Sequence, residues 1–133
     1  MRNLAILGST GSIGSSTLDV VKSNPGMFDI QLLAAKSNHP LLLEQIKLFK
    51  PNFIYLEDES SFISIKDAIK DIDQSLEVIN NEQDLLSLIS SNIIDTVVAA
   101  VVGIAGLNGV EAALSSGKRV LLANKESYVV AGE

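Results

Sequence analysis

A chain of 133 residues, 47% hydrophobic and 20% charged, is long enough for one globular domain with its own core. Its net charge of -6 argues against a nucleic-acid or anionic-membrane surface, and the lack of cysteine excludes disulfides and thiolate metal sites. No apolar run approaches the roughly 20 residues of a membrane span, and the N-terminus lacks a basic-then-apolar secretory pattern, so a soluble, cytoplasmic protein is expected.

Apolar runs alternate with helical patterns along the chain. The spacing predicts strands near 4–8, 29–35, 52–57, 76–79, 95–101 and 119–123, and helices near 12–23, 40–49, 59–70, 82–91, 106–116 and from 126 onward. The first strand, Leu4-Ala5-Ile6-Leu7, runs into the glycine-rich stretch Gly8-Ser9-Thr10-Gly11-Ser12-Ile13-Gly14. Asn24-Pro25-Gly26 ends the first helix, because proline restricts the residue before it and glycine tolerates the exit turn. Pro40 suits the first turn of the second helix, with Asn38 available as its cap, and Lys50-Pro51-Asn52 ends that helix. The lone histidine, His39, reads as a loop residue. Glu57-Asp58-Glu59 opens the third helix, where negative charge suits the helix dipole. The run from Thr96 to Val102 is apolar without alternation, the mark of a strand covered on both faces. Ser116-Gly117-Lys118 ends the fifth helix. This rhythm predicts an α/β fold: a doubly wound, mostly parallel sheet with helices on both faces, Rossmann-like.

Four segments carry chemistry. A strand, a tight glycine turn and a helix start together cradle a pyrophosphate, because the first helical N–H groups have no intrahelical partner and point at the anion. In that reading Gly8 turns the chain, Gly11 lets the backbone approach phosphate and Gly14 lets the helix pack closely, while Ser9, Thr10 and Ser12 add hydroxyls. The alternative is a tight turn that binds nothing. At the end of the second strand, where an NAD site usually places an acidic residue for the ribose, stand Lys36-Ser37-Asn38. A cation, a hydroxyl and an amide suit a 2′-phosphate and favour NADP(H); the alternative is a solvent-facing lysine. The third segment, Ala100 to Leu107 with Gly103 and Gly106, walls the nicotinamide half of the cofactor or is simply a β–α loop. The fourth, Asn124-Lys125-Glu126, delivers three polar residues to the same sheet edge, either as ligand contacts or as a helix start capped by Asn124.

With these segments in view, the sequence resembles the 1-deoxy-D-xylulose 5-phosphate reductoisomerase family. The carriers are Ile6 to Gly14, Ser16 to Val21, Val102 to Leu107 and Leu121 to Ser127, in the family's order and spacing across the whole chain. The resemblance implies the NADPH-binding domain of that enzyme over residues 1–133, incomplete at its C-terminus. The family converts 1-deoxy-D-xylulose 5-phosphate to 2-C-methyl-D-erythritol 4-phosphate, an oxidoreductase step of non-mevalonate isoprene biosynthesis that also isomerises the carbon skeleton. It uses NADPH and a divalent cation (Mg, Mn or Co).

Carried onto this chain, the resemblance makes Thr10, Gly11, Ser12 and Ile13 contacts of the cofactor phosphates, Asn38 part of the 2′-phosphate site, and Asn124 and Glu126 further cofactor contacts. The reading of the residues themselves adds Gly8 and Ser9 of the turn, Lys36 and Ser37 of the 2′-phosphate segment, and Ala100 and Gly103 on the nicotinamide side. Lys125 resembles the family's substrate-contacting lysine. One departure is plain: the family often has a glycine and then a basic residue before Asn38, whereas here Lys36 precedes Ser37, shifting the cation by one position. The metal ligands and catalytic residues are expected beyond residue 133, so this segment alone is expected to be inactive; the full enzyme is expected to be a homodimer acting on a small phosphorylated sugar. Two other readings are another NADP-dependent dehydrogenase of the semialdehyde type and a non-catalytic nucleotide-binding module. The Asn124–Glu126 cluster and the loop around Gly103 favour the reductoisomerase.

Overall fold

The computed structural model describes residues 2–70, 72, 75–100, 104–123 and 128–131. In chain order the elements are β1 (Arg2–Leu7), α1 (Ser12–Ser23), β2 (Phe28–Ala35), α2 (His39–Phe49), β3 (Phe53–Leu56) and α3 (Glu59–Ile69). They continue with β4 (Glu77–Ile79), α4 (Glu82–Ser90), β5 (Thr96–Ala99), α5 (Ile104–Ser115), β6 (Arg119–Ala123) and β7 (Tyr128–Ala131). The strands form one sheet in the order β4-β3-β2-β1-β5-β6-β7. All neighbours are parallel except β6 and β7, which pair antiparallel with Ala123 opposite Tyr128. The doubly wound α/β sheet read from the sequence is therefore present.

Its strands are apolar on both faces because each face has its own core. On one side Leu4 and Ile6 of β1, Leu33 of β2 and Ile54 of β3 meet Leu18 of α1, Leu42 and Ile46 of α2, and Ile65 of α3. On the other, Ala5 and Leu7 of β1, Leu32 of β2 and Val97 of β5 meet Leu85 and Ile89 of α4 and Ala113 of α5. Successive residues point to opposite faces, so an unbroken apolar run is what two covered faces require. The helices are apolar along single stripes: α1 buries Gly14, Leu18 and Val21, and α3 buries Ser61, Ile65 and Ile69. Gly109 brings α5 onto the sheet, since a β-carbon there would lie 2.8 Å from Leu7 Cδ1.

The register of β1 against β2 slips once. Leu4 faces Ile30 but Ala5 faces Leu32, which leaves Gln31 as the extra residue of a bulge. Its side-chain amide donates to Asp29 Oδ2 at 2.8 Å and accepts from Asn52 Nδ2 at 2.7 Å, so the bulged residue is buried with partners.

Asn38 caps α2 as the sequence reading expected. Asn38, Asp58 and Asn81 each accept a backbone N–H as N-caps of α2, α3 and α4. Three details differ. His39 is the first residue of α2 and not a loop residue. α5 begins at Ile104, two residues before the expected start, and runs to Ser115. The helix expected from 126 onward is replaced over 128–131 by β7. Tyr128-Val129-Val130 is aromatic and β-branched, a composition that favours a pleated strand, and the open edge of β6 supplies its partner.

Candidate functional site

The carboxyl ends of β2, β1 and β5 lie side by side, and the strand order reverses between β1 and β5. Open parallel sheets bind ligands in the crevice at such a switch point. The turn after β1 is built there from a few backbone bonds. Gly8 has φ of 89°, which an L side chain rarely adopts, and it bends the chain out of the strand. The N–H groups of Gly8 and Ser9 both donate to Ala34 O of β2, at 2.8 and 3.0 Å, and Gly11 N–H donates to Gly8 O at 3.2 Å. α1 then packs on the turn itself. A β-carbon on Gly14 would lie 2.1 Å from Gly8 O and 2.8 Å from Ser9 Cα, so only glycine allows this approach.

The start of α1 differs from those of α2, α3 and α4. Its N-cap is Gly11, which offers no side-chain hydrogen bond. Among the described residues nothing accepts from the N–H groups of Thr10, Ser12, Ile13 or Gly14. Gly11 and Ser12 are exposed, and Thr10 and Ile13 are half-buried. A row of donors at a helix start, backed by the helix dipole, is chemically an anion site. Ser9 is on the inner side of the turn: it is fully buried, and its hydroxyl has no partner among the described residues. The accessible hydroxyls of the turn are those of Thr10 and Ser12.

The segment Lys36-Ser37-Asn38 follows β2 at the neighbouring position on the same edge. All three residues are exposed. Their backbone is fixed from α3: Asp58 N–H donates to Lys36 O at 2.8 Å, and the Ser61 hydroxyl donates to Ser37 O, also at 2.8 Å. Asn38 uses its Oδ1 to cap α2 through Leu41 N–H at 3.2 Å, which leaves its amide N–H₂ outward. The Asp58 carboxylate is itself held by the hydroxyl of Ser60 and by the N–H and hydroxyl of Ser61. These bonds, with the Ser60 hydroxyl first among them, lower its pKa below the ordinary aspartate value. The acidic cluster thus works as a cap, and the cap steadies the Lys36–Asn38 segment.

Ala100 completes the described edge. Its N–H donates to Leu7 O at 2.9 Å, which places the end of β5 against the turn. Gly103, Asn124, Lys125 and Glu126 lie outside the described residues. β6 ends at Ala123, beside β5.

One residue of this region was not anticipated. Gln45 of α2 is buried and donates from Nε2 to Ser9 O at 2.8 Å. The signal was a polar residue on the apolar stripe between Leu42 and Ile46. A groove of about 310 Å³, lined by Arg2, Phe28, Thr96, Arg119 and others, lies at the amino edge of the sheet and is remote from the turn.

The description "1-deoxy-D-xylulose 5-phosphate reductoisomerase" is that of the family model matching residues 4–132. Proteins of that name from Saccharophagus degradans and, in chloroplastic form, Mentha piperita are 45% and 42% identical to the chain, over 100% and 97% of its length. The match covers 34% and 27% of those proteins, so the chain spans about a third or less of their length. A DOX-P reductoisomerase solved with NADPH, fosmidomycin and magnesium superposes with a TM-score of 0.85 at 38% identity, covering 96% of this chain and 31% of that one. The enzyme from Zymomonas mobilis solved with NADPH gives 0.81 at 34% identity, covering 95% and 32%.

Proposed function

Because the chain belongs to the 1-deoxy-D-xylulose 5-phosphate reductoisomerase family, we propose that residues 1–133 are the NADPH-holding part of such an enzyme, continued by catalytic and C-terminal parts outside this chain. The observation that carries the reading is the turn from Gly8 to Gly14, where four N–H groups with no acceptor among the described residues share one sheet edge with an exposed Lys36–Asn38 segment. That arrangement suits a cofactor with two separated phosphate positions. The N–H groups of Thr10, Ser12, Ile13 and Gly14 take the pyrophosphate, with the hydroxyls of Thr10 and Ser12 beside them. Lys36, Ser37 and the Asn38 amide take the 2′-phosphate, where a carboxylate would repel it. Ala100 and Gly103 line the nicotinamide side, and Asn124 and Glu126 orient it. NADPH bound there supplies a hydride.

Lys125 contacts the small phosphorylated sugar in this reading. The divalent cation is held by residues outside this chain in this reading. No helix among the described residues is long and apolar enough to cross a membrane. The proposal places the enzyme in the cytoplasm as a homodimer.

The direct test is turnover by the full-length protein. With NADPH and a divalent cation, 1-deoxy-D-xylulose 5-phosphate is expected to be converted with stoichiometric loss of NADPH. Reduction of NADP+ by a semialdehyde in the presence of phosphate, with no turnover of this sugar, would shift the assignment to another dehydrogenase.

A further inference from the structure

Gln45 is an exception on its own helix. It shares the buried stripe of α2 with Leu42 and Ile46, where a leucine would fit the pattern with no amide to satisfy. Its side chain is 5% exposed. Its Oε1 finds no partner among the described residues, so the amide is not there for packing. What the amide does is donate from Nε2 to the Ser9 carbonyl at 2.8 Å, across 36 residues of sequence.

The consequence lies on the other side of the same peptide. In a trans peptide the C=O and the following N–H point in opposite directions, and the described backbone has no cis bond. With Ser9 C=O drawn inward, the Thr10 N–H lies on the opposite side of that peptide, and it has no acceptor among the described residues. The same bond ties the turn to α2, whose first residues follow directly on Lys36–Asn38. The Gly8 and Ser9 N–H groups, both on Ala34 O, tie the turn to β2 as well.

The geometry points to Gln45 as a positioning residue of the cofactor site: it fixes the Ser9–Thr10 peptide so that Thr10 N–H faces the pyrophosphate, without touching the cofactor itself. This rests on the NADPH reading above. Gln45→Met keeps an unbranched side chain of similar length and removes the donor.

In the full-length protein, calorimetric titration with NADPH and with adenosine 2′-phosphate separates the two phosphate positions, since the second probe carries no pyrophosphate. Gln45→Met is expected to weaken NADPH about tenfold, the scale of one lost charge-assisted bond, and to leave adenosine 2′-phosphate within about twofold. An unchanged NADPH affinity, or equal losses for both probes, overturns the proposal; equal losses are what a purely structural role would give. Failure of the unmodified protein to bind NADPH would overturn the cofactor reading itself. The Thr10 amide resonance of the unmodified protein gives a second measurement that needs no variant. It is expected to shift on NADPH binding and to stay in place with adenosine 2′-phosphate; an unmoved Thr10 amide under NADPH overturns the proposal.

Discussion

Gly14→Ala is expected to destabilise the fold by about 3 kcal/mol and to remove NADPH binding with it. The added β-carbon would stand 2.1 Å from Gly8 O and 2.8 Å from Ser9 Cα, both main-chain atoms that no rotamer change can move aside. α1 must lift from the turn, and Leu18 and Val21 on its stripe would lose their seats against Leu4 and Ile6. Alanine is the better helix former by up to about 1 kcal/mol, which opposes the clash and is too small to cancel it. For a domain of this size the midpoint of thermal unfolding should fall by roughly 10 °C, followed by circular dichroism. A variant that unfolds within a degree or two of the parent and binds NADPH normally would show that α1 does not need glycine here.

Gly11→Val should separate the site from the fold. Gly11 has φ of −74° and ψ of 170°, an extended conformation that valine adopts readily. The nearest atom to an added β-carbon is Gly8 O at 3.6 Å, an ordinary contact. Loss of a good N-cap residue costs at most about 1 kcal/mol. The isopropyl group would stand in front of the Ser12 and Ile13 N–H groups, where the pyrophosphate is proposed to lie. Losing two charge-assisted bonds of about 1.5 kcal/mol each weakens NADPH roughly a hundredfold. Calorimetric titration checks the affinity and thermal unfolding checks the fold. A folded variant that binds NADPH as the parent does would remove the turn from the site. The two glycines are three residues apart and should fail in opposite ways, one through packing and one through occupancy.

How much of this was legible in the sequence varies from residue to residue. The turn could be read because its signals are local: a buried strand, glycines at Gly8, Gly11 and Gly14, and a helix with Leu18 and Val21 on one face. The strands could be read because two covered faces leave an unbroken apolar run, as in Thr96–Ala99, which is buried throughout. Asn38 was legible twice over, as a cap and as an outward amide. Long-range partners were not legible. Tyr128–Ala131 is a strand because the edge of β6 is beside it, and no pattern inside those four residues announces that edge. Gln45 has meaning only through a carbonyl 36 residues away. Glu57-Asp58-Glu59 reads as negative charge at a helix start, whereas the use of the Asp58 N–H to hold Lys36 O depends on how β2 and α3 meet at the sheet edge. Ser9 reads as one more hydroxyl for phosphate, yet tertiary packing encloses it completely.

In the proposed site this edge of the sheet holds a nucleotide by both its pyrophosphate and its 2′-phosphate. Titration of the full-length protein with NADPH and NADH under the same conditions isolates the second contact, because the two cofactors differ only in the group assigned to Lys36–Asn38. NADPH is expected to bind at least about tenfold more tightly, the scale of one charge-assisted contact to the 2′-phosphate. Equal affinities, or a preference for NADH, would contradict it.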